Sequence, residues 1–129
     1  MTDQVTSIEQ SKRLIELGVP VEKASMVWAT CSGKYHLSVL PHYKATPEYI
    51  KSGESIPAFT VADLLGLLPP KISCQGPSDG NFRMRRYMGE NGIEWVVDYD
   101  RFIANDVSII NALVETIVLL VSTKHELNI

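Results

Sequence analysis

Ile109–Val121 reads IINALVETIVLLV, and ten of its thirteen residues are apolar, all except Asn111, Glu115 and Thr116. On a helix, Ser108, Asn111, Glu115 and Ser122 fall on one narrow polar stripe, and nearly everything else is hydrophobic. A helix of that kind cannot rest on a surface with a single face covered. It is expected to be the central pillar of a core, or half of an interface. Thirteen residues with an Asn and a Glu among them are too few and too polar to cross a bilayer. Asn105 or Asp106 can cap such a helix, which would then run to about Glu126.

The segment before it supplies something to pack against. Phe82–Met88 and Ile93–Tyr99 flank Gly89-Glu90-Asn91-Gly92, the pattern of a β-hairpin. With those four residues as the loop, Met88 faces Ile93, Arg86 faces Trp95, Met84 faces Val97 and Phe82 faces Tyr99. The other side pairs Tyr87 with Glu94, Arg85 with Val96 and Arg83 with Asp98. One face is then apolar apart from Arg86, and the other is mixed and charged. A slip of one residue would scramble both faces, so the register is well specified. Arg83 with Asp98 is a favourable cross-strand pair, and Arg86 over Trp95 a cation–π contact.

Nearer the N-terminus, Thr6-Ser7-Ile8-Glu9 reads as a capping box for a helix to Leu17, stopped by Gly18 with Pro20 beyond. Met26–Thr30 and Tyr35–Leu40 read as two strands, with a Ser32-Gly33 turn between them. Pro41 to Pro57 is irregular by composition, with one helical turn expected at Thr46-Pro47-Glu48. Thr60–Leu68 is a short helix capped by Thr60, with Asp63 in its first turn and Pro69-Pro70 ending it. Lys71–Cys74 reads as a strand, and Gly76–Asn81 as a loop. The fold expected is a single α+β domain over 1–129. It has an antiparallel sheet of about four to five strands, the long C-terminal helix packed on one face, and the order α-β-β-α-β-β-β-α.

At 129 residues, 45% apolar and 21% charged, the chain has the balance of a folded protein. Its net charge of −3 disfavours a general nucleic-acid binder, which gains from net positive potential, although a local basic patch is compatible with it. The polar, acidic start lacks the pattern of a signal peptide, and Cys31 and Cys74 have no CxxC spacing. A cytoplasmic protein with reduced cysteines is the expectation.

Few residues suggest chemistry. No GxSxG, HExxH, P-loop or Gly-rich turn entering a helix is present, so no catalytic residue, metal or cofactor is assigned. Arg83, Arg85 and Tyr87 share one strand face and could contact phosphate and stack a base, but Asp98 and Glu94 opposite make an ordinary solvent face the simpler reading. His36 and His42 are six apart across Pro41, not an i, i+4 metal pair, and Cys31 adds no recognised zinc spacing. Arg83, Arg85, Tyr87, His36 and His42 are therefore the candidate interaction surface. Glu115 and Asn111 are expected on a water-facing edge. Trp28, Trp95, Tyr35, Tyr87 and Tyr99 are expected mainly in the core.

Pro57-Ala58-Phe59-Thr60-Val61-Ala62-Asp63-Leu64-Leu65 followed by Leu68-Pro69-Pro70, then Ile93-Glu94-Trp95-Val96-Val97-Asp98-Tyr99, then the apolar last helix, resembles small uncharacterised proteins encoded in Bacteroidetes genomes, often beside prophage or other mobile-element genes. The resemblance implies a cytoplasmic accessory protein and no activity or catalytic residue. Three functions follow in order. The first is a non-catalytic interaction or regulatory module with a protein partner or a second copy, because the last helix is more apolar than a chain this size requires. The second is a nucleic-acid-associated protein using Arg83, Arg85 and Tyr87. The third is a small enzyme or ligand binder around Cys31, His36 and His42. No membrane partner is expected.

Overall fold

A computed structural model describes residues 4–31, 33–39, 55–72, 80–90, 92–99 and 103–129. Contacts divide the chain into two compact units, Met1–Asp63 and Leu64–Ile129.

The first unit opens with helix α1, Ile8–Glu16. Its cap is Ser7 rather than Thr6. Ser7 Oγ accepts from the Gln10 amide at 3.1 Å, and Gln10 Oε1 accepts from the Ser7 amide at 3.0 Å. The capping box is thus one residue later than expected, because Thr6 is wholly buried and bonded elsewhere. Its Oγ1 accepts from the Phe59 amide at 3.0 Å and shares a 2.6 Å bond with Ser11 Oγ. At the other end Gly18 takes φ +99°, and the amides of Gly18 and Val19 return to the carbonyls of Ile15 and Leu14. That pair of bonds is a Schellman stop.

Strands β1 (Met26–Cys31) and β2 (Lys34–Val39) form the expected hairpin, with Trp28 opposite Leu37 and Gly33 at φ +79° in the turn. Strand β3, Ser55–Ala58, pairs with the other side of β1, and Val27 stands opposite Pro57. This strand was expected as loop because of Pro57. It lies at the sheet edge, in the order β2-β1-β3, where a missing N–H is tolerated. The Thr46-Pro47-Glu48 turn and most of the Pro41–Pro57 segment lie outside the described residues.

Helix α2, Val61–Leu67, has the expected cap: Thr60 Oγ1 accepts from the Asp63 amide at 3.1 Å. The Asp63 carboxylate accepts in return from the Thr60 amide at 2.9 Å and from the Ser25 amide at 2.8 Å.

The second unit holds β4 (Arg83–Gly89), β5 (Gly92–Asp98), β6 (Ile103–Asp106) and helix α3 (Ile109–Ser122). The β4–β5 register is the expected one at every pair from Arg83–Asp98 to Met88–Ile93. Gly89 and Gly92 also pair, one step beyond the expected end of the ladder. Strand β6 replaces the expected start of the last helix. Asn105 pairs with Val96, and Asp106 with Trp95. Ser108 is the actual cap, its Oγ accepting from the Asn111 amide at 3.3 Å. Asp106 supports that start from the strand, accepting from the Ser108 amide at 2.9 Å. Of the expected Lys71–Cys74 strand, the described part, Lys71 and Ile72, carries a single bridge from Lys71 to Asn81, and 73–79 lie outside the described residues.

The class is therefore α+β, but with two antiparallel sheets of three strands, β2-β1-β3 and β4-β5-β6, in place of one sheet of four or five. Helix α3 packs against β5 and β6. Ile103 and Asn105 are exposed on one sheet face, while Val97 and Ala104, paired in register, are buried on the other, so the helix covers the Val97–Ala104 side. Glu115 and Ser122 are exposed as the polar stripe requires, and Thr116 is buried with its hydroxyl donating to the Ala112 carbonyl at 2.8 Å. Tyr99 is fully buried, tilted against Phe82 at 5.4 Å, and its hydroxyl donates to the Pro69 carbonyl at 2.6 Å. Burial pushes its phenol strongly upward from the ordinary tyrosine range.

Candidate functional site

The last helix was expected to carry any spare apolar surface. It does not: from Ile109 to Ser122 no large hydrophobic side chain is exposed. Apart from Val107 and Ile129, the exposed large apolar groups of the second unit lie on the strands. Met88 is 75% exposed, Ile103 58%, Ile93 47%, Tyr87 42% and Met84 36%. Every residue of β4 from Arg83 to Met88 is exposed, although their side chains alternate between the two sheet faces. Among the described residues β4 has a strand neighbour on one side only, β5. The helix packs on β5 and β6, and at the turn end of the hairpin Met88 and Ile93 are left exposed.

Register places the side chains in rows across the sheet. On the face away from the helix the rows are Arg83–Asp98–Ile103, Arg85–Val96–Asn105 and Tyr87–Glu94. Arg83 Nε lies 3.2 Å from Asp98 Oδ1, the pair read from the sequence. Tyr87 is hydrogen-bonded to the Glu94 carboxylate and to Asn105. The Glu94 carboxylate also lies over Gly89, where a Cβ would overlap it. Arg85 makes no hydrogen bond or ion pair among the described residues. Between these side chains is an open depression of about 580 Å³, lined by Arg85, Arg86, Tyr87, Val96, Ile103 and Asn105. On the opposite face, Arg86 lies over the Trp95 ring at 5.1 Å, again as expected.

No protein-family model matches the chain, and no curated protein or solved structure is significantly similar to it. What this surface can do follows from its geometry and charge.

Arg83, Arg85 and Tyr87 are indeed brought together on one exposed face. His36 is exposed too, but on β2 of the first unit, opposite Ala29. His42 lies outside the described residues, and of Cys31 the described part is its backbone pairing with Lys34. Among the described residues, no three His, Cys, Asp or Glu groups are placed to hold a metal ion, and no helix is long and apolar enough to cross a membrane. Tyr35 and Tyr87, expected mainly in the core, are exposed, while Trp28 and Trp95 are half-buried. Asn105 and Ile103 were not expected in the site, because β6 was read as the approach to a helix.

Tyr87 offers a direct check. The hydrogen bond to Glu94, reinforced by the repulsion between carboxylate and phenolate, holds its phenol above the ordinary value of 10.0; Asn105 and Arg85 pull the other way. Glu94→Gln is expected to lower that pKa. Ultraviolet absorbance titration, taken as the difference from a Tyr87→Phe background, measures it. A pKa unchanged or raised by the substitution would contradict this hydrogen-bond arrangement.

Proposed function

We propose that this chain is a non-catalytic interaction module that engages a protein partner through the β4–β5 hairpin. The observation carrying this reading is a strand exposed along its length, with an outer edge that no described strand covers and methionines on its helix-side face. An edge of unpaired backbone groups flanked by apolar side chains is a template for another chain, and soluble proteins normally blunt or cover such edges. We place the module in the cytoplasm as an accessory protein, which is what its resemblance to small Bacteroidetes proteins implies.

The nucleic-acid alternative is weaker on charge. The face that would meet phosphate carries Arg83 and Arg85, but also Asp98 and Glu94, so its cations are balanced by carboxylates in the same rows. Asp98 already engages Arg83, and the hydroxyl of Tyr87 is held by Glu94. The net charge of −3 works in the same direction.

A photo-crosslinking amino acid placed at Met88, and separately at Glu115, tests the interaction in cells. A discrete heavier adduct from position 88 and none from position 115 is expected. No adduct at 88, or the same adducts from both positions, would remove the support for this surface.

A further inference from the structure

We propose that the occupant of the β4 edge is an extended acidic segment of another protein, added as a fourth strand beside β4. The proposal rests on the interaction reading above and adds the chemistry of the partner.

The backbone sets the geometry. Gly89 and Gly92 pair with only two positions between them in sequence, so they form a hydrogen-bonded pair, and hydrogen-bonded and non-bonded pairs alternate from there. Gly89, Tyr87, Arg85 and Arg83 therefore direct their N–H and C=O groups toward β5. Met88, Arg86 and Met84 direct theirs to the open edge. Among the described residues nothing pairs with that edge, and all three side chains are exposed. An incoming extended segment would satisfy these groups by strand addition.

Charge selects the occupant. β4 reads RMRRYMG, with three arginines and no carboxylate. In-register antiparallel pairing of two copies would set Arg86 against Arg86 and gather three guanidinium groups from each strand along one seam. A second copy is therefore disfavoured. A segment with carboxylates along this strand meets its strongest attraction at Arg85, since Asp98 already engages Arg83 and Arg86 lies over Trp95, and apolar residues opposite Met84 and Met88 extend the contact. Arg85 is already extended to solvent without an ion pair among the described residues, so a partner carboxylate displaces nothing. Read antiparallel from Met88 to Arg83, the complementary pattern is apolar, polar, acidic, acidic, apolar, acidic.

A labelled peptide, acetyl-Val-Thr-Glu-Glu-Val-Glu-amide, is the probe, with binding to the full chain read by fluorescence anisotropy. Its Gln-for-Glu analogue tests charge, and a version N-methylated at alternate residues tests backbone pairing. A labelled oligo-dT of similar length tests the nucleic-acid alternative. The acidic peptide is expected to bind about tenfold or more tightly than either analogue, and to weaken as salt rises. Arg85→Glu should abolish the preference over the Gln peptide. Met88→Pro removes an outward N–H and no β4–β5 ladder bond, and should weaken the acidic peptide while far-UV circular dichroism stays unchanged. Equal binding of the N-methylated peptide, equal binding of the Gln peptide, tighter binding of oligo-dT, or no peptide binding at all would each overturn the proposal. A specific adduct at position 88 alongside such a result would leave the interaction reading standing and its acidic-strand form refuted.

Discussion

Leu113→Ala is expected to destabilise the second unit by about 3–4 kcal/mol, near the middle of the range for fully buried leucines. Leu113 has no solvent exposure and sits midway along α3, among the helix's other buried residues Ile110, Val114, Ile117 and Leu120. Removing its isobutyl group loses the transfer free energy of the buried carbons and leaves a cavity that a helix held at both ends cannot close. Asp106 ties the start of that helix to β6, and just beyond its end the Asn128 amide donates to the Leu67 carbonyl, so collapse by tilting is resisted. Urea unfolding, followed by Trp95 fluorescence in a Trp28→Phe background, measures the loss; the protein's two tryptophans lie one in each unit. Glu115→Ala, an exposed change on the same helix, should stay within about 0.5 kcal/mol of the parent. A loss below about 1 kcal/mol for Leu113→Ala would mean that α3 is not the pillar of this core.

The contrast between Leu113 and Glu115 was legible in the sequence, because a 3.6-residue period separates covered from wet positions without knowledge of the neighbours. The β4–β5 register was legible for the analogous reason at period two, and it led directly to Arg83–Asp98 and Arg86–Trp95. What escaped were the short strands. β3 contains Pro57, which argues against a strand unless it is known to lie at an edge, and edge position is a tertiary fact. β6 ends in Asn105-Asp106, residues equally suited to capping a helix, and only pairing with β5 separates the readings. Each of those two strands adds a third strand to one hairpin, β3 beside β1 and β6 beside β5. They also account for the site. With Asn105 or Asp106 read as a helix cap, Asn105 and Ile103 could not be placed beside Tyr87 and Val96. The spare apolar surface was assigned to the helix when most of it lies on the strands. Composition can show that a chain has more apolar residues than it needs; which of them stay uncovered depends on where each element ends.

Thr6→Val should cost the first unit about 2–4 kcal/mol, although the two side chains have nearly the same shape. Thr6, Ser11 and Phe59 are all inaccessible to solvent. The backbone of Thr6 donates to the Phe59 carbonyl at 2.9 Å, its Oγ1 accepts from the Phe59 amide at 3.0 Å, and its carbonyl accepts from Trp28 Nε1 at 3.0 Å. One residue thus ties the start of α1 to the end of β3 and to β1. A methyl in place of the hydroxyl leaves the Phe59 amide without its acceptor and Ser11 without the partner at 2.6 Å, where water cannot replace either. Each orphaned buried group carries a penalty of about 1–3 kcal/mol, which outweighs the small gain from burying a methyl. Adding Ser11→Ala removes one of the two orphans. The double variant should therefore be less destabilised than the sum of the singles, with a coupling of about 0.5–2 kcal/mol between directly bonded neighbours. Unfolding followed by Trp28 fluorescence in a Trp95→Phe background reads both, since the Trp28 indole is itself bonded to Thr6. Strict additivity would show that Thr6 and Ser11 act separately. A neutral Thr6→Val would show that the Phe59 amide finds another acceptor, and that the helix start is held by the Ser7–Gln10 capping box alone.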